Sequence, residues 1–210
     1  TELAGAGDDP LSVTAATTSA GGDIDIQTQD GNLTISGGVS TDGAGAVTLV
    51  AGDSGGNNNG TVAVQAAIAA VNGQVTLTSA ADDVTFTAAG DVTTTGAGEI
   101  EVNAGAGGVG LVTMTDGTVL SSTGGGIIDI NGQGMVTLGR LQTTNGGATA
   151  IDVLSASANI VDGGDTGGAD AVTGAGGRVT FTAPGGDIGT ALDAIETQTD
   201  ELAGSAVAGS

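Results

Sequence analysis

The chain has 210 residues, of which 42 are glycine, 24 are acidic and only two, Arg140 and Arg178, are basic, so its formal net charge is −22. This balance argues against nucleic acid and anionic membranes as partners, because both require a basic surface. Hydrophobic residues make up 39% of the chain although aromatic residues make up 1%, so we expect a folded protein with a thin, aliphatic core.

The missing residue types also remove most catalytic chemistry. Without Cys, His, Lys or Tyr, the chain cannot form a Ser-His-Asp triad, a Cys nucleophile or a Schiff base. Paired carboxylates remain, but two Arg and two Phe are too few to line the groove of a polysaccharide-cleaving β-helix. We therefore expect a protein that is not an enzyme and requires no cofactor. No stretch approaches the roughly 18 apolar residues of a membrane span.

A short alternating strand is the recurring unit of the sequence. In Val84-Thr85-Phe86-Thr87-Ala88, the alternation places Val84, Phe86 and Ala88 on one face. The same five residues return at 179–183, 95 positions later, and these two copies hold both Phe residues of the chain. Looser versions open at Gly22, Gly31, Gly45, Gly60, Gly73, Gly98, Gly110 and Gly134. This reiteration predicts a repeat protein.

Taken in chain order, the pattern predicts strands joined by Gly-rich turns. The first strand is expected at residues 11–15, and three more are expected within residues 23–49. Residues 65–71 are predicted to form an Ala-rich strand or corner, because strands flank them closely. Further strands follow as far as residues 178–183, which are predicted to form the last one. Residues 190–200 have the best helical spacing in the chain, and a helix is expected there.

The spacing of the strands predicts the architecture. Every second strand start lies 22 to 29 residues after the last, as from Ile24 to Val47 or from Val75 to Ile100. This is the size of one coil of a parallel β-helix, so we expect an all-β protein, a β-solenoid of about eight coils with irregular loops. The alternative is a tandem pair of β-sandwich repeats of about 95 residues, which the scarcity of aromatic residues disfavours.

A second recurring segment, a tetrapeptide, indicates the length of a longer repeat. Glu2-Leu3-Ala4-Gly5 matches Glu201-Leu202-Ala203-Gly204, 199 positions later. We interpret residues 1–210 as a single β-solenoid segment that is about one period of a longer tandem-repeat chain.

Acidic loops are the candidate binding sites. Asp162, Asp165 and Asp170 lie among Gly pairs that permit tight turns, and carboxylates with carbonyls are all that calcium requires, so these three are the predicted calcium ligands. The alternative is a solvated acidic loop. Asp82-Asp83 and Asp8-Asp9 are weaker candidates of the same kind. Zinc and other transition metals are not expected, since the chain has neither His nor Cys. The polar loops at 53–60 and 162–170 are the candidate ligand-binding loops.

Thr-x-Thr pairs occupy the outward positions of several strands, at 76/78, 85/87, 113/115 and 180/182. Stacked on one flat face, such pairs could order water and bind ice. We favour the simpler interpretation that Thr is a good strand former at solvent-facing positions.

The sequence resembles the giant repetitive surface proteins of bacteria, of the filamentous-haemagglutinin and autotransporter-adhesin type. The resemblance depends on the Gly-Asp-Ile-x-Ile and Gly-x-Leu-Thr-Ile phrases of residues 22–35, the Gly-x-Val-Thr-Leu strands and the Lys-free, acidic composition. It implies a right-handed parallel β-helix, export to the bacterial cell surface and an extracellular role as a stalk, adhesin or matrix filament. The partners expected on this basis are neighbouring repeats, other copies of the chain, and a host or cell-surface ligand.

Overall fold

The computed structural model describes residues 9–56, 60–105, 109–191 and 193–206. Within these ranges the chain forms 23 strands and no helix, and the strands, numbered along the chain, form three sheets that we name A, B and C. The chain visits the three sheets in that order again and again. One such circuit is a coil, so that coil 1 contains β1, β2 and β3. None of the described residues form a helix that is long and apolar enough to cross a membrane.

Each sheet is a stack of short strands from successive coils, with eight strands in sheets B and C and seven in sheet A. Sheet A contains β1 (Leu11–Val13), β4 (Leu33–Ile35), β7 (Val62–Val64), β10 (Val84–Phe86), β13 (Val112–Met114), β16 (Val136–Leu138) and β19 (Ile160–Asp162). Sheet B contains β2 (Ala16–Thr17), β5 (Val39–Thr41), β8 (Ile68–Ala70), β11 (Val92–Thr94), β14 (Val119–Ser122), β17 (Arg140–Thr143), β20 (Ala171–Val172) and β22 (Thr197–Gln198). Sheet C contains β3 (Ile24–Thr28), β6 (Val47–Ala51), β9 (Val75–Ser79), β12 (Ile100–Ala104), β15 (Ile128–Gly132), β18 (Ile151–Ser155), β21 (Arg178–Ala183) and β23 (Glu201–Ala206).

Every pairing between these strands is parallel, and each strand pairs with its counterpart one coil away. Paired residues of sheet C lie 23 to 28 positions apart, as Ile24 does from Val47 and Val47 from Val75. The predicted all-β parallel solenoid of about eight coils is therefore confirmed. Stacking of eight strands about 4.8 Å apart gives a rod on the order of 40 Å long.

The core is a set of aliphatic columns that run along the rod. In sheet C, Ile100, Ile128 and Ile151 pair in register, and each is fully buried. Neighbouring residues alternate between buried and solvent-facing positions, as the sequence pattern predicts. Both Phe side chains are core residues, since Phe86 is 2% and Phe181 is 3% exposed.

The identical segments 84–88 and 179–183, which lie 95 residues apart, do not mark a structural repeat. Val84–Phe86 forms β10 in sheet A, whereas the same three residue types at 179–181 lie within β21 in sheet C. The identical segments therefore occupy different sides of one solenoid, and the alternative of tandem β-sandwiches is wrong. The sequence repeats a strand, and the coil is the unit that repeats in space.

Two expectations about the end of the chain are also wrong. The described residues of 190–200 form turns and β22 in place of a helix, because Thr197 and Gln198 pair with Ala171 and Val172 of the preceding coil. The last described strand is β23, which pairs with β21 along six residues. Residues 65–71 contain β8, as the expectation of a strand or corner allowed.

Glycines form a column at the corner between sheets B and C. Gly22, Gly45, Gly73, Gly98 and Gly126 each lie two positions before the first residue of a sheet C strand, and we call this column the glycine corner. A Cβ atom on any of the last four would overlap the carbonyl oxygen of the glycine one coil earlier. The backbones of successive coils therefore approach so closely at this corner that no side chain fits between them.

Buried hydroxyl groups close the same corner from within. Thr41 Oγ1 donates to the Gly45 carbonyl at 2.7 Å, and Thr94 Oγ1 donates to the Gly98 carbonyl at 2.9 Å. Both threonines occupy the last inward position of a sheet B strand. These bonds satisfy carbonyl groups that the turn leaves unpaired in the interior.

We expect Gly98→Ala to destabilise the fold by about 1–3 kcal/mol or more, because the new methyl group would force the coils apart. The matched control is Gly38→Ala, since a Cβ on Gly38 would meet a single atom, the Ala67 carbonyl oxygen, at an ordinary 3.9 Å. Thermal unfolding followed by circular dichroism measures both variants. Equal melting temperatures for the two variants would contradict the close approach of the backbones.

Candidate functional site

Five acidic side chains gather at the corner between sheets A and B near the end of the solenoid. Asp162 ends β19 in coil 7, and Asp165 and Asp170 lie in the loop that leads to β20. Asp193 and Glu196 lie in the corresponding segment of coil 8, before β22. We call these five residues the acidic corner.

The loop of coil 7 is held in place by the two coils beneath it. Coil 6 turns from β16 to β17 through the single residue Gly139, which leaves space at this corner. The coil 7 loop folds over that space, and Thr166 donates to the Asp116 carboxylate of coil 5 from its backbone N–H at 3.0 Å and from its Oγ1 at 2.7 Å. Gly164 packs directly against Asp116 with a φ of +133°, a position that only glycine occupies without strain.

The carboxylates of the acidic corner form two groups that share Asp162. In each group, one oxygen from every member lies within 4.8 Å of the others. One group contains Asp162, Asp165 and Asp193, and the other contains Asp162, Asp170 and Glu196. The structure thus brings Asp162 together with each of its predicted partners, but it places Asp165 and Asp170 in separate groups.

Sequence reasoning missed Asp193 and Glu196 because their segment was expected to be a helix. The coil spacing contains the signal that would have found Glu196. Ala171 and Thr197 pair between coils 7 and 8, so Asp170 and Glu196, which precede them, are adjacent in space. No comparable register places Asp193, because it lies in an irregular turn where its backbone N–H bonds to Thr190 Oγ1 at 2.9 Å.

Asp162 is the buried member that the two groups share. Its side chain is 8% exposed, and its Oδ1 accepts a hydrogen bond from the Gly164 N–H at 2.8 Å. Its Oδ2 is buried and has no hydrogen-bond partner among the described residues. Asp165, Asp193 and Glu196 are exposed, so the corner is open to solvent on the side opposite Asp162.

The charged groups that shift pKa values in the acidic corner are all negative. Burial raises the pKa of the Asp170 carboxyl to about 7, and the Asp162 and Glu196 carboxylates add to the rise, against a hydrogen bond from the Glu196 N–H that lowers it. The Asp162 carboxylate raises the pKa of Asp193, with further contributions from Asp165 and Glu196. The neighbouring charges that shift these two groups are all carboxylates, so the corner repels anions and attracts cations.

The weaker sequence candidates have structural roles or lie outside the described residues. Asp82 accepts a hydrogen bond from Thr61 Oγ1 at 2.7 Å, and Asp83 accepts one from the Leu111 N–H at 2.8 Å, so both join neighbouring coils. In the Asp8-Asp9 pair, Asp8 lies outside the described residues, as do residues 57–59 of the 53–60 loop. The structure gives no description of a site at either place.

The outward face of sheet C carries an acidic ladder. Glu101, Asp129 and Asp152 are in register on three successive coils. The pKa of Asp129 is raised by burial first and then by the Asp152 and Glu101 carboxylates, while a hydrogen bond from Asn131 lowers it. The pKa of Glu99 is likewise raised, by burial and by Glu101 and Asp129.

This ladder also bears on the Thr pairs. Thr76/Thr78 and Thr180/Thr182 lie on the outward face of sheet C, but the three acidic strands separate them. Thr87 and Thr115, from the other two pairs, follow their strands and lie outside them, and Thr115 Oγ1 donates to the Phe86 carbonyl at 2.8 Å. These pairs therefore do not build one flat Thr face, which supports the simpler interpretation of Thr as a strand former.

Comparison of the chain with known protein families, with curated proteins and with solved structures finds no match. The resemblance to bacterial surface proteins therefore stays a prediction, and the function has to be argued from this structure.

We expect Asp129→Asn to raise the melting temperature by up to about 4 °C, because it removes like-charge contacts between stacked strands while the amide oxygen can still accept from Asn131. Thermal unfolding from about pH 8 down to about pH 4, near the ordinary pKa of an Asp carboxyl, measures the effect. An acid whose pKa is raised in the folded state binds more protons there than when unfolded, so stability falls as the pH rises between its ordinary value and the raised one. The native protein should therefore become more stable on acidification, and Asp129→Asn should reduce this gain.

The control for this prediction is Asp25→Asn. Asp25 occupies the same column of sheet C, but its partner in register is Thr48, which carries no charge. We expect a smaller rise in melting temperature from this variant. A rise as large as that of Asp129→Asn would show that total charge, and not the ladder, governs the effect.

Proposed function

We propose that the chain is a structural, non-catalytic module of a long β-solenoid that forms a filament, sheath or adhesin stalk outside the cell, at the bacterial surface. The observation that carries the proposal is the end of the core column in sheet C. Leu202 of β23 is in register with Val179 and continues the inward column, yet it is 59% exposed whereas Val179 is fully buried. An apolar side chain at an inward position of an uncovered strand is a surface on which another coil can stack.

The register supports a second copy of this sequence as the next coil. Leu202 occupies sheet C in the tetrapeptide Glu201–Gly204, and the same tetrapeptide occurs at residues 2–5, outside the described residues. Leu3 precedes Ile24 by 21 residues, close to the 23 to 28 that separate paired residues of sheet C. A period of 199 residues from Leu3 to Leu202 would therefore contain eight coils, and an array with this period keeps sheet C in phase.

The other end of the rod is concave, and its lining mixes apolar side chains with Ser, Thr and Asp side chains. A cavity of about 460 Å³ opens there, lined by residues 11–18 and by residues 23–26. It lies within coil 1, on the side where no described strand covers β1, β2 or β3. Both ends thus present strands of sheets B and C on which another coil can stack, whereas sheet A ends at β19, with an isolated bridge from Ile160 to Ile188.

We expect Leu202→Asp to have little effect on the stability of a single copy of the chain but to destabilise a fusion of two copies. In the single chain the side chain is exposed, so the melting temperature should change little. In a fusion of two copies joined with the 199-residue period, residue 202 of the first copy becomes buried at the junction, and the substitution should cost roughly 3 kcal/mol or more. Thermal unfolding of the four proteins measures this difference.

Electron microscopy of the same proteins tests the shape. The two-copy fusion should form a straight rod on the order of 80 Å long, with a strand repeat near 4.8 Å in longer assemblies. Val109→Asp is the matched control, since Val109 is 73% exposed on the connection between sheets C and A and not at the end of a column. Two compact bodies at variable angles, or equal effects of both substitutions in the fusion, would refute the stacked solenoid.

A further inference from the structure

The Asp162 carboxylate poses a physical problem that the rest of the described chain does not solve. The residue is more than nine-tenths buried, and its Oδ2 has no hydrogen-bond partner among the described residues. Leaving a charged oxygen buried and unpaired is costly, and folded proteins nearly always satisfy such a group. A ligand of opposite charge would remove this cost.

The surroundings of Asp162 determine which kind of ligand fits. Its nearest polar neighbours include the carboxylates of Asp165 and Asp193, one oxygen of each lying within 4.8 Å of an Asp162 oxygen and of the other. The Asp193 and Asp162 side chains are within hydrogen-bonding reach of each other, but ionised carboxylates only accept hydrogen bonds, so the three cannot satisfy one another while all are ionised. A cation placed among them would be attracted by all three.

The second acidic group is less suited to a cation, because the buried carboxylate of Asp170 already has a backbone partner. Asp170 Oδ2 accepts a hydrogen bond from the Glu196 N–H at 2.9 Å, so this oxygen is already satisfied. Asp170 is 1% exposed, whereas Asp165 and Asp193 face solvent, where a cation would enter.

We propose that Asp162, Asp165 and Asp193 bind one calcium ion at the acidic corner. Calcium takes six to eight oxygen ligands at about 2.3–2.6 Å, so oxygens on opposite sides of it lie about 4.6–5.2 Å apart, consistent with the separations here. Magnesium requires a smaller octahedron with oxygens at about 2.0–2.1 Å and gives up its water reluctantly, so it fits this open set less well.

The site would join two coils. Asp162 and Asp165 belong to coil 7, and Asp193 belongs to the irregular turn of coil 8 between Ile188 and β22. That turn has few backbone bonds to coil 7, chiefly from the Gly189 N–H to the Ile160 carbonyl at 2.8 Å and from the Ala171 N–H to the Glu196 carbonyl at 3.1 Å. A calcium ion would hold the last coil on the stack, and this role does not depend on whether the chain forms a filament.

Isothermal titration of the full chain with CaCl₂ tests the proposal. We expect one calcium ion per chain with a dissociation constant of roughly 10⁻⁴–10⁻³ M, as in extracellular modules. Asp165→Asn/Asp193→Asn should weaken binding at least about tenfold, because two of the three charged ligands are lost at exposed positions where the fold does not depend on them. Hydrogen exchange should show that calcium slows the exchange of amides in residues 187–200 of the native chain but not of the double variant.

Three controls make the result decisive. Glu196→Gln should retain binding within about threefold, since Glu196 contributes only a nearby charge. Asp30→Asn should retain it fully, because Asp30 is another buried acid with an unpartnered oxygen, 7% exposed, but it belongs to no group of three acids among the described residues. MgCl₂ and NaCl at matched ionic strength should produce no comparable protection.

The proposal is overturned by any of three results: no saturable calcium binding, equal protection by magnesium or sodium salt, or undiminished binding by Asp165→Asn/Asp193→Asn. Loss of binding in Glu196→Gln alone would place the cation with Asp170 and Glu196 and refute this ligand set. Both the binding and the exchange measurements use a single copy of the chain, so failure here leaves the stacked filament untouched.

Discussion

The close approach of successive backbones at the glycine corner is the constraint on which the rest of the solenoid depends. Strands of sheet C can stack in register only if the turns before them stack as well, and those turns are in contact through their backbones. The spacing from sheet B to sheet C is correspondingly uniform. It is seven or eight residues in the pairs Ala16–Ile24, Val39–Val47, Ile68–Val75, Val92–Ile100, Leu120–Ile128 and Ala171–Val179.

The one internal exception supports this interpretation. In coil 6 the spacing from Leu141 to Ile151 is ten residues, and Thr149 stands where the other coils have glycine. Here the turn widens, and the side chain of Asn145 replaces the direct backbone contact. Its Nδ2 donates to the Gly125 carbonyl at 2.9 Å, and its Oδ1 accepts from the Gly147 N–H at 2.7 Å. In this coil the longer turn carries a Cβ, and the polar side chain of Asn145 fills the gap that results.

Coils differ in length mainly at the corners between sheets C and A and between sheets A and B. The acidic corner is a result of this difference in length. Coils 3 and 5 lengthen mainly between sheets C and A, and coil 7 lengthens between sheets A and B. The coil 7 loop would project into solvent if coil 6 did not turn through Gly139 alone. The vacant space lets the loop fold down to Asp116, which positions Asp165 next to Asp162. A shorter coil beneath a longer one thus creates the concave place where acids from two coils meet.

The parts of the fold and of the acidic corner that depend on periodic interactions could be predicted from the sequence, and the other parts could not. The alternation of Val84–Phe86 and the spacing from Ile24 to Val47 depend on the strand pleat and the coil, so both predicted the solenoid correctly. Residues 190–200 misled the prediction because their apolar spacing of three and four is helical, whereas tertiary pairing of Thr197 with Ala171 decides the conformation. The position of Asp193 could not be predicted for a related reason. It lies in an irregular turn, which has no strand register that could be inferred from the sequence.

The charge of −22 is compatible with this fold because burial and charge are separated along each strand. Inward positions form mostly aliphatic columns, and most acids lie on outward positions or at corners, where water and counterions screen them; Asp30, Asp162 and Asp170 are buried exceptions. Repulsion in the Glu101–Asp129–Asp152 ladder opposes stacking over three coils, but each added coil also covers a full set of apolar side chains on the coil before it. Val179 is fully buried and Leu202, in the same column, is 59% exposed. One further coil would remove this exposed apolar surface of Leu202 from water. Since the gain recurs with every coil while the uncovered ends remain two in number, a solenoid of this composition becomes more stable per residue as it lengthens.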